Sequence, residues 1–243
     1  MRARSLVAVL GLVALVSCAT NKSSDKAFFD QVSSLSKEEI LARGEALLAK
    51  KHYEEARKFF SFLADSFPND PLGRQAALKV ADSFFAERDL ESLTEAQLRY
   101  KDFSNRFPND PARAYALLQL GKCSFNQRRG AMRDLTQVRE AADSFRRVVQ
   151  LFPDSERAKE AAELLAQCEE DLAKHEILVA RYYASIGAWE GASQRMEFAV
   201  ANYPKSKAVA DAADLVAKTH EYRTHTAVAP SATPAPTPEP KNP

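Results

Sequence analysis

Phe67-Pro68-Asn69-Asp70 decides the fold, because it returns as Phe107-Pro108-Asn109-Asp110, Phe152-Pro153-Asp154-Ser155 and Tyr203-Pro204-Lys205-Ser206, at spacings of 40, 45 and 51 residues. An aromatic, a proline and a capping residue stop one helix and start the next. Each copy is preceded by a helical pattern: Ala56, Phe60 and Leu63; Ala96, Tyr100 and Phe103; Ala141, Phe145 and Val148; Ala192, Met196 and Ala199. The offsets of these residues to the proline are 12, 8 and 5 in all four copies. Six of the 12 prolines crowd into the last fourteen positions, and with only 7 glycines in 243 residues the rest of the chain is poor in breakers. That composition suits an all-α chain and argues against a many-turned β-fold.

The offsets resemble the tetratricopeptide repeat, a helical hairpin with small residues where its two helices touch. The first copy reaches back to Gly44 through Ala56 and Tyr53, and the fourth to Ala180 through Ala192, Trp189 and Tyr183. In the middle copies Ala81 and Gly121 stand further from their prolines, which places extra residues in the turns, the longer insert being residues 127–136. About five hairpins are expected, stacked as a solenoid, because a single hairpin cannot cover its own apolar face. The region 155–187 is expected to supply two helices.

Arg2 and Arg4 precede an apolar run from Leu6 to Val16, whose eleven residues would reach only about 16 Å of a ~30 Å hydrocarbon core. This reads as a secretory signal. Leu15-Val16-Ser17-Cys18 resembles the bacterial lipobox, which implies cleavage before Cys18 and a covalent lipid on it. Several acyl chains, at ~0.8 kcal/mol per buried CH₂, make a lasting anchor. By the same resemblance Ala19 implies sorting to the outer membrane. The expected organisation is a signal at 1–17, a lipidated polar tether at 18–35, repeats at 36–224 and a Pro-rich tail at 225–243.

Lys and Arg number 34 against 33 Asp and Glu, and no stretch concentrates one sign, so nucleic acid is not an expected partner. No cofactor or metal is expected, and the chain does not read as an enzyme. His220 and His225 superficially match a zinc helix but stand five apart, on opposite faces. The glycines form no phosphate loop, and no elbow presents a nucleophile. Cys123 and Cys168 stand at equivalent positions of neighbouring repeats, and packed helices at about 8 to 10 Å separate them too far for a disulfide. Two buried thiols are predicted.

A helical scaffold of this kind works by binding. Counting along the first helix of each hairpin places Leu41, Glu45 and Leu48, then Leu78, Asp82 and Phe85, then Tyr115, Leu118, Lys122 and Phe125 on a groove suited to an extended peptide. Leu48, Phe85, Tyr115 and Phe125 are the candidates for client contact; the leucines read equally as inter-helix core.

From Lys174 to Pro204 the elements Ala-x-Tyr-Tyr, Gly-Ala-Trp, Ala-x-x-Arg and Tyr-Pro follow one another in an order that resembles the BamD family, the repeat lipoproteins of the outer-membrane β-barrel assembly machine. The resemblance implies a non-enzymatic subunit facing the periplasm. It would bind a POTRA domain of BamA through its C-terminal half, receive unfolded outer-membrane proteins in its N-terminal half, to about residue 130, and have other assembly-complex lipoproteins as partners. It assigns Arg195 to the BamA contact; a surface arginine paired with Glu190 or Glu197 is the alternative. Another outer-membrane repeat lipoprotein, of pilus assembly or the Tol-Pal type, is the competing reading.

Overall fold

The computed structural model describes residues 26–130 and 133–228; the signal, Cys18 and the tail from 229 onward lie outside the described residues. These form an all-α chain: α1 (Lys37–Ala49), α2 (Tyr53–Ser66), α3 (Pro71–Glu87), α4 (Leu90–Arg106), α5 (Arg113–Gln127), α6 (Thr136–Leu151), α7 (Glu156–Ser185), α8 (Trp189–Asn202), α9 (Lys207–Asp211) and α10 (Ala213–Val228). The described residues divide into two compact units, the first ending at residue 119 and the second starting at residue 120.

The recurring tetrapeptide performs the same backbone operation four times. The N–H groups of Phe67, Phe107, Phe152 and Tyr203 donate back to Leu63, Phe103, Val148 and Ala199, closing the helix before each. Each of these aromatics then accepts through its own carbonyl from the residue three positions on, Asp70, Asp110, Ser155 and Ser206, at 3.0 to 3.2 Å. Proline at the second position of such a turn is pre-set in φ and has no N–H to lose. The side chain of the fourth residue caps the next helix: Asp70 accepts from the Leu72 N–H at 2.9 Å, Asp110 from Ala112 at 2.8 Å, Ser155 from Arg157 at 3.2 Å and Ser206 from Ala208 at 3.1 Å. The same caps join successive repeats. Lys37 donates to Asp70, holding that carboxyl below its ordinary range, and Arg74 reaches Asp110 at 2.7 Å.

Small residues let the paired helices touch. A Cβ on Gly44 would stand 2.4 Å from the Phe60 ring, and one on Gly121 would stand 2.5 Å from Phe145. Both rings are fully buried. Gly121→Val is therefore expected to cost about 3 kcal/mol through overpacking, read as a lowered denaturation midpoint, and Phe145→Leu should recover part of the loss by making room.

Two expectations require correction. The stretch 155–187 is one continuous helix of 30 residues, about 45 Å long, because no Gly or Pro interrupts it until Gly187, whose φ of 77° breaks the run before α8. The N-terminal half of α7 packs on α6 and α9, and its other half packs on α8. The supposed tether is helical over residues 26–32. Val32 is 2% exposed in the core of the first unit, with Phe28 and Leu35 packed beside it. Phe28, Val32 and Leu35 are spaced i, i+4 and i+7, enough to dock a short amphipathic turn on α2.

Candidate functional site

In the first unit, α1, α3, α4 and α5 supply a string of polar side chains. Glu45 of α1 lies 3.4 Å from Lys79 of α3, and Lys79 lies 4.0 Å from Asp82 one turn further on. Both Tyr100 of α4 and Tyr115 of α5 donate their hydroxyls to Asp82 Oδ1, each at 2.7 Å. The rings meet edge to face, with centroids 6.3 Å apart. Burial, and then the Asp82 charge, push the Tyr115 phenol above its ordinary range, so it stays a neutral donor. Such a row offers fixed hydrogen-bonding groups flanked by apolar surface.

The candidate client residues are placed unequally. Phe85 is half-buried, with the Arg88 guanidinium 4.7 Å from its ring centre. Tyr115 is half-buried within the Asp82 network. Leu48 is half-buried and packs on the core of the first unit, while Leu41, Leu78 and Leu118 are buried outright. Phe125, which belongs to the second unit, is buried as well. It meets Phe145 edge to face at 6.1 Å and carries Arg128 3.5 Å above its ring. That corrects its reading as an open contact: the ring lies one turn beyond Gly121, where α5 and α6 touch, and the guanidinium covers its remaining face.

In the second unit Arg195 projects from α8 with its side chain 45% exposed, and its Nη1 donates to Glu176 Oε2 at 3.0 Å. Glu176, on α7, is 7% exposed. The alternative reading of Arg195, a pairing with Glu190 or Glu197, is therefore corrected to a pairing with Glu176. Both of those carboxylates are engaged by Arg223 of α10, at 3.0 and 2.7 Å, the latter as a two-pronged contact. Leu178 and Tyr182 of α7, with Ile186 just past its end, are exposed apolar side chains. An open groove of about 670 Å³ lies among α8, α9 and α10, lined by Val200, Val209, Ala213 and Val216.

Cys123 and Cys168 are not joined in a disulfide, and both are fully buried, as predicted. Burial pushes the Cys168 thiol up to about 12. Because the folded thiol resists ionisation, it contributes stability present below the ordinary thiol pKa of about 8.5 and lost as pH climbs towards 12. Alkylation of the native chain at pH 8 should leave both thiols unmodified, and Cys168→Ala should flatten the decline of stability above pH 9. Mass spectrometry and denaturation at several pH values read the two results. Among the described residues no group of three or more His, Cys, Asp or Glu is placed to hold a metal ion, and no helix is long and apolar enough to cross a membrane.

A family model described as YfiO, outer membrane lipoprotein, matches residues 33–234. The outer membrane protein assembly factor BamD of Haemophilus influenzae is 27% identical over 239 residues, covering 94% of this chain and 88% of the relative. BamD of Neisseria gonorrhoeae is 28% identical over 215 residues, covering 84% and 78%. A crystallised tetratricopeptide-repeat protein of Thermus thermophilus superposes on 78% of this chain and 100% of its own length, with 17% identity and a TM-score of 0.41. Since the family match runs through α1 to α10, the chain belongs to the YfiO (BamD) family of outer membrane lipoproteins.

Proposed function

We propose that this chain is a non-enzymatic assembly factor, held by a covalent lipid on Cys18 at the periplasmic side of the outer membrane, that joins BamA to its unfolded clients. The first unit receives unfolded outer-membrane proteins along the Glu45, Lys79, Asp82 and Tyr115 row, with Phe85 and Leu48 offering apolar contacts. The second unit docks a POTRA domain of BamA and other assembly-complex lipoproteins around Arg195. No cofactor besides the lipid is required, and no nucleic acid takes part. The observation that carries the reading is family membership over residues 33–234, joined to a polar and aromatic row of the kind that suits an extended backbone.

Co-purification tests it. The intact lipoprotein should retain BamA and should capture an unfolded outer-membrane protein; a chain that retains no BamA would sink the proposal. Phe85→Ala should lower client capture severalfold while BamA is still retained, because the substitution lies in the first unit and far along the chain from Arg195. Phe85 is half-buried, so the melting temperature is followed alongside.

A further inference from the structure

The docked turn at residues 26–32 presents more aromatic surface than its packing uses. Phe28 lies edge to face on Phe59, with ring centres 5.2 Å apart, and Phe59 is buried. Phe29 points the other way: it is 56% exposed, and its packing partners among the rings are Phe28 at 6.1 Å and Phe62 of α2 at 6.0 Å. The outcome is a surface patch of Phe29 and the half-buried Phe62, backed by a second layer of Phe28 and Phe59.

We infer that the Phe29/Phe62 patch enters the interfacial layer of the bilayer that holds the acyl chains of Cys18, giving the first unit a second, non-covalent membrane contact. The inference rests on the lipoprotein reading of Cys18. Three features select a membrane as the occupant. Phe29 is eleven residues from Cys18, so even a fully extended chain holds the patch within about 39 Å of the anchor. That proximity makes insertion intramolecular, so a patch too small to bind a membrane alone suffices. In the chain Lys26 and Asp30 flank Phe29, and Lys58 and Asp65 flank Phe62, so these neighbouring side chains carry no net negative charge to oppose an anionic headgroup layer. Lys58 and Phe62 share one face of α2 at i and i+4, where the long lysine stem can reach back to the headgroups as the ring enters.

The test uses the intact lipidated chain carrying Trp189→Phe, which removes the single native tryptophan, together with Phe29→Trp as reporter. A matched chain carries Leu151→Trp instead, at a position 53% exposed in the second unit. Both are reconstituted in phosphatidylethanolamine and phosphatidylglycerol vesicles with and without brominated acyl chains. Emission from position 29 should be roughly halved by the brominated lipid, the ring lying about 5 to 10 Å deep, while emission from position 151 is unchanged. Vesicles that float with the protein but leave position 29 unquenched overturn the inference and leave the lipoprotein reading standing. Failure to float, with no acyl mass on Cys18, overturns both. A blue shift at position 29 that grows with protein concentration in detergent, without vesicles, assigns the patch to a second copy and overturns the membrane contact.

Discussion

Arg195→Glu is expected to lower the melting temperature by more than about 10 °C, before any effect on partner binding is considered. Glu176, the acceptor of the Arg195 guanidinium, is 7% exposed and sits on the inward face of α7 with Leu172, Ala173 and Ala180. Removing one partner of a buried pair costs about 3 to 5 kcal/mol because the remaining charge is left without compensation. Arg195 is 45% exposed, so solvent screens part of the loss and the lower end of that range applies. A carboxylate at 195 adds repulsion where attraction stood. Loss of BamA from this variant would therefore report unfolding as readily as a lost contact. The pair Arg195→Gln with Glu176→Gln separates the two, since neutral amides can keep the hydrogen bond without a buried charge. This double variant should melt within a few degrees of the unmodified chain. If Arg195 also serves BamA, it should still bind BamA at least about tenfold more weakly, the loss of one charged contact being worth about 1.4 kcal/mol or more. A double variant that is stable and binds at full strength assigns Arg195 wholly to the α7–α8 contact.

The pairing of Arg195 with Glu176 is not legible in the sequence, whereas the hairpins are, and the difference lies in the range of the interactions. The hairpins are legible because each helix boundary is a local event: an aromatic C-cap, a proline and an Asp or Ser cap within four residues. The small-to-aromatic contacts are legible because Gly44 with Phe60 and Gly121 with Phe145 lie on helices that the repeat pairs. Glu176 is 19 residues from Arg195, and no periodicity announces that pairing. Its signal is an acidic residue among apolar ones at i−4, i−3 and i+4, a position that demands a partner. Glu190 and Glu197 are nearer to Arg195 in the chain, but Arg223, brought in by α10, holds both. Phe125 departs from expectation for a related reason. Its place on the first helix of a hairpin matches Phe85, and each ring has an arginine three residues on beside it, but Phe125 also packs against Phe145 of α6, a contact between helices that its own helix does not announce. The turn at 26–32 is hidden by its polar neighbours, only Phe28, Val32 and Leu35 marking the face that docks.

Asp82→Ala is expected to destabilise the first unit by about 4 kcal/mol. One carboxylate oxygen accepts from two phenols at 2.7 Å, and Tyr100 is completely buried. Truncation removes the acceptor that both hydroxyls share, at about 1 to 3 kcal/mol for each of the two hydrogen bonds lost, before any cavity is counted. The pH dependence checks the same network from the other side. The Tyr115 phenol is raised in the folded chain, so the folded state holds its proton where the unfolded state releases it. Stability from this group is present below pH 10, and it is lost as pH rises above that value. Tyr115→Phe should remove that alkaline decline at a cost of about 1 kcal/mol at neutral pH. Combining Asp82→Leu with Tyr100→Phe and Tyr115→Phe replaces donors and acceptor together, and the resulting apolar cluster should recover most of the stability lost by Asp82→Ala. The triple variant keeps the helices and the aromatic bulk but removes the polar string between Lys79 and Tyr115. If clients are held through hydrogen bonds to their extended backbone, it should capture an unfolded outer-membrane protein severalfold less well than the unmodified chain, at an unchanged yield of BamA. Undiminished capture by a folded triple variant would assign the row to stability alone, and would leave Phe85 and Leu48 as the client contacts of the first unit.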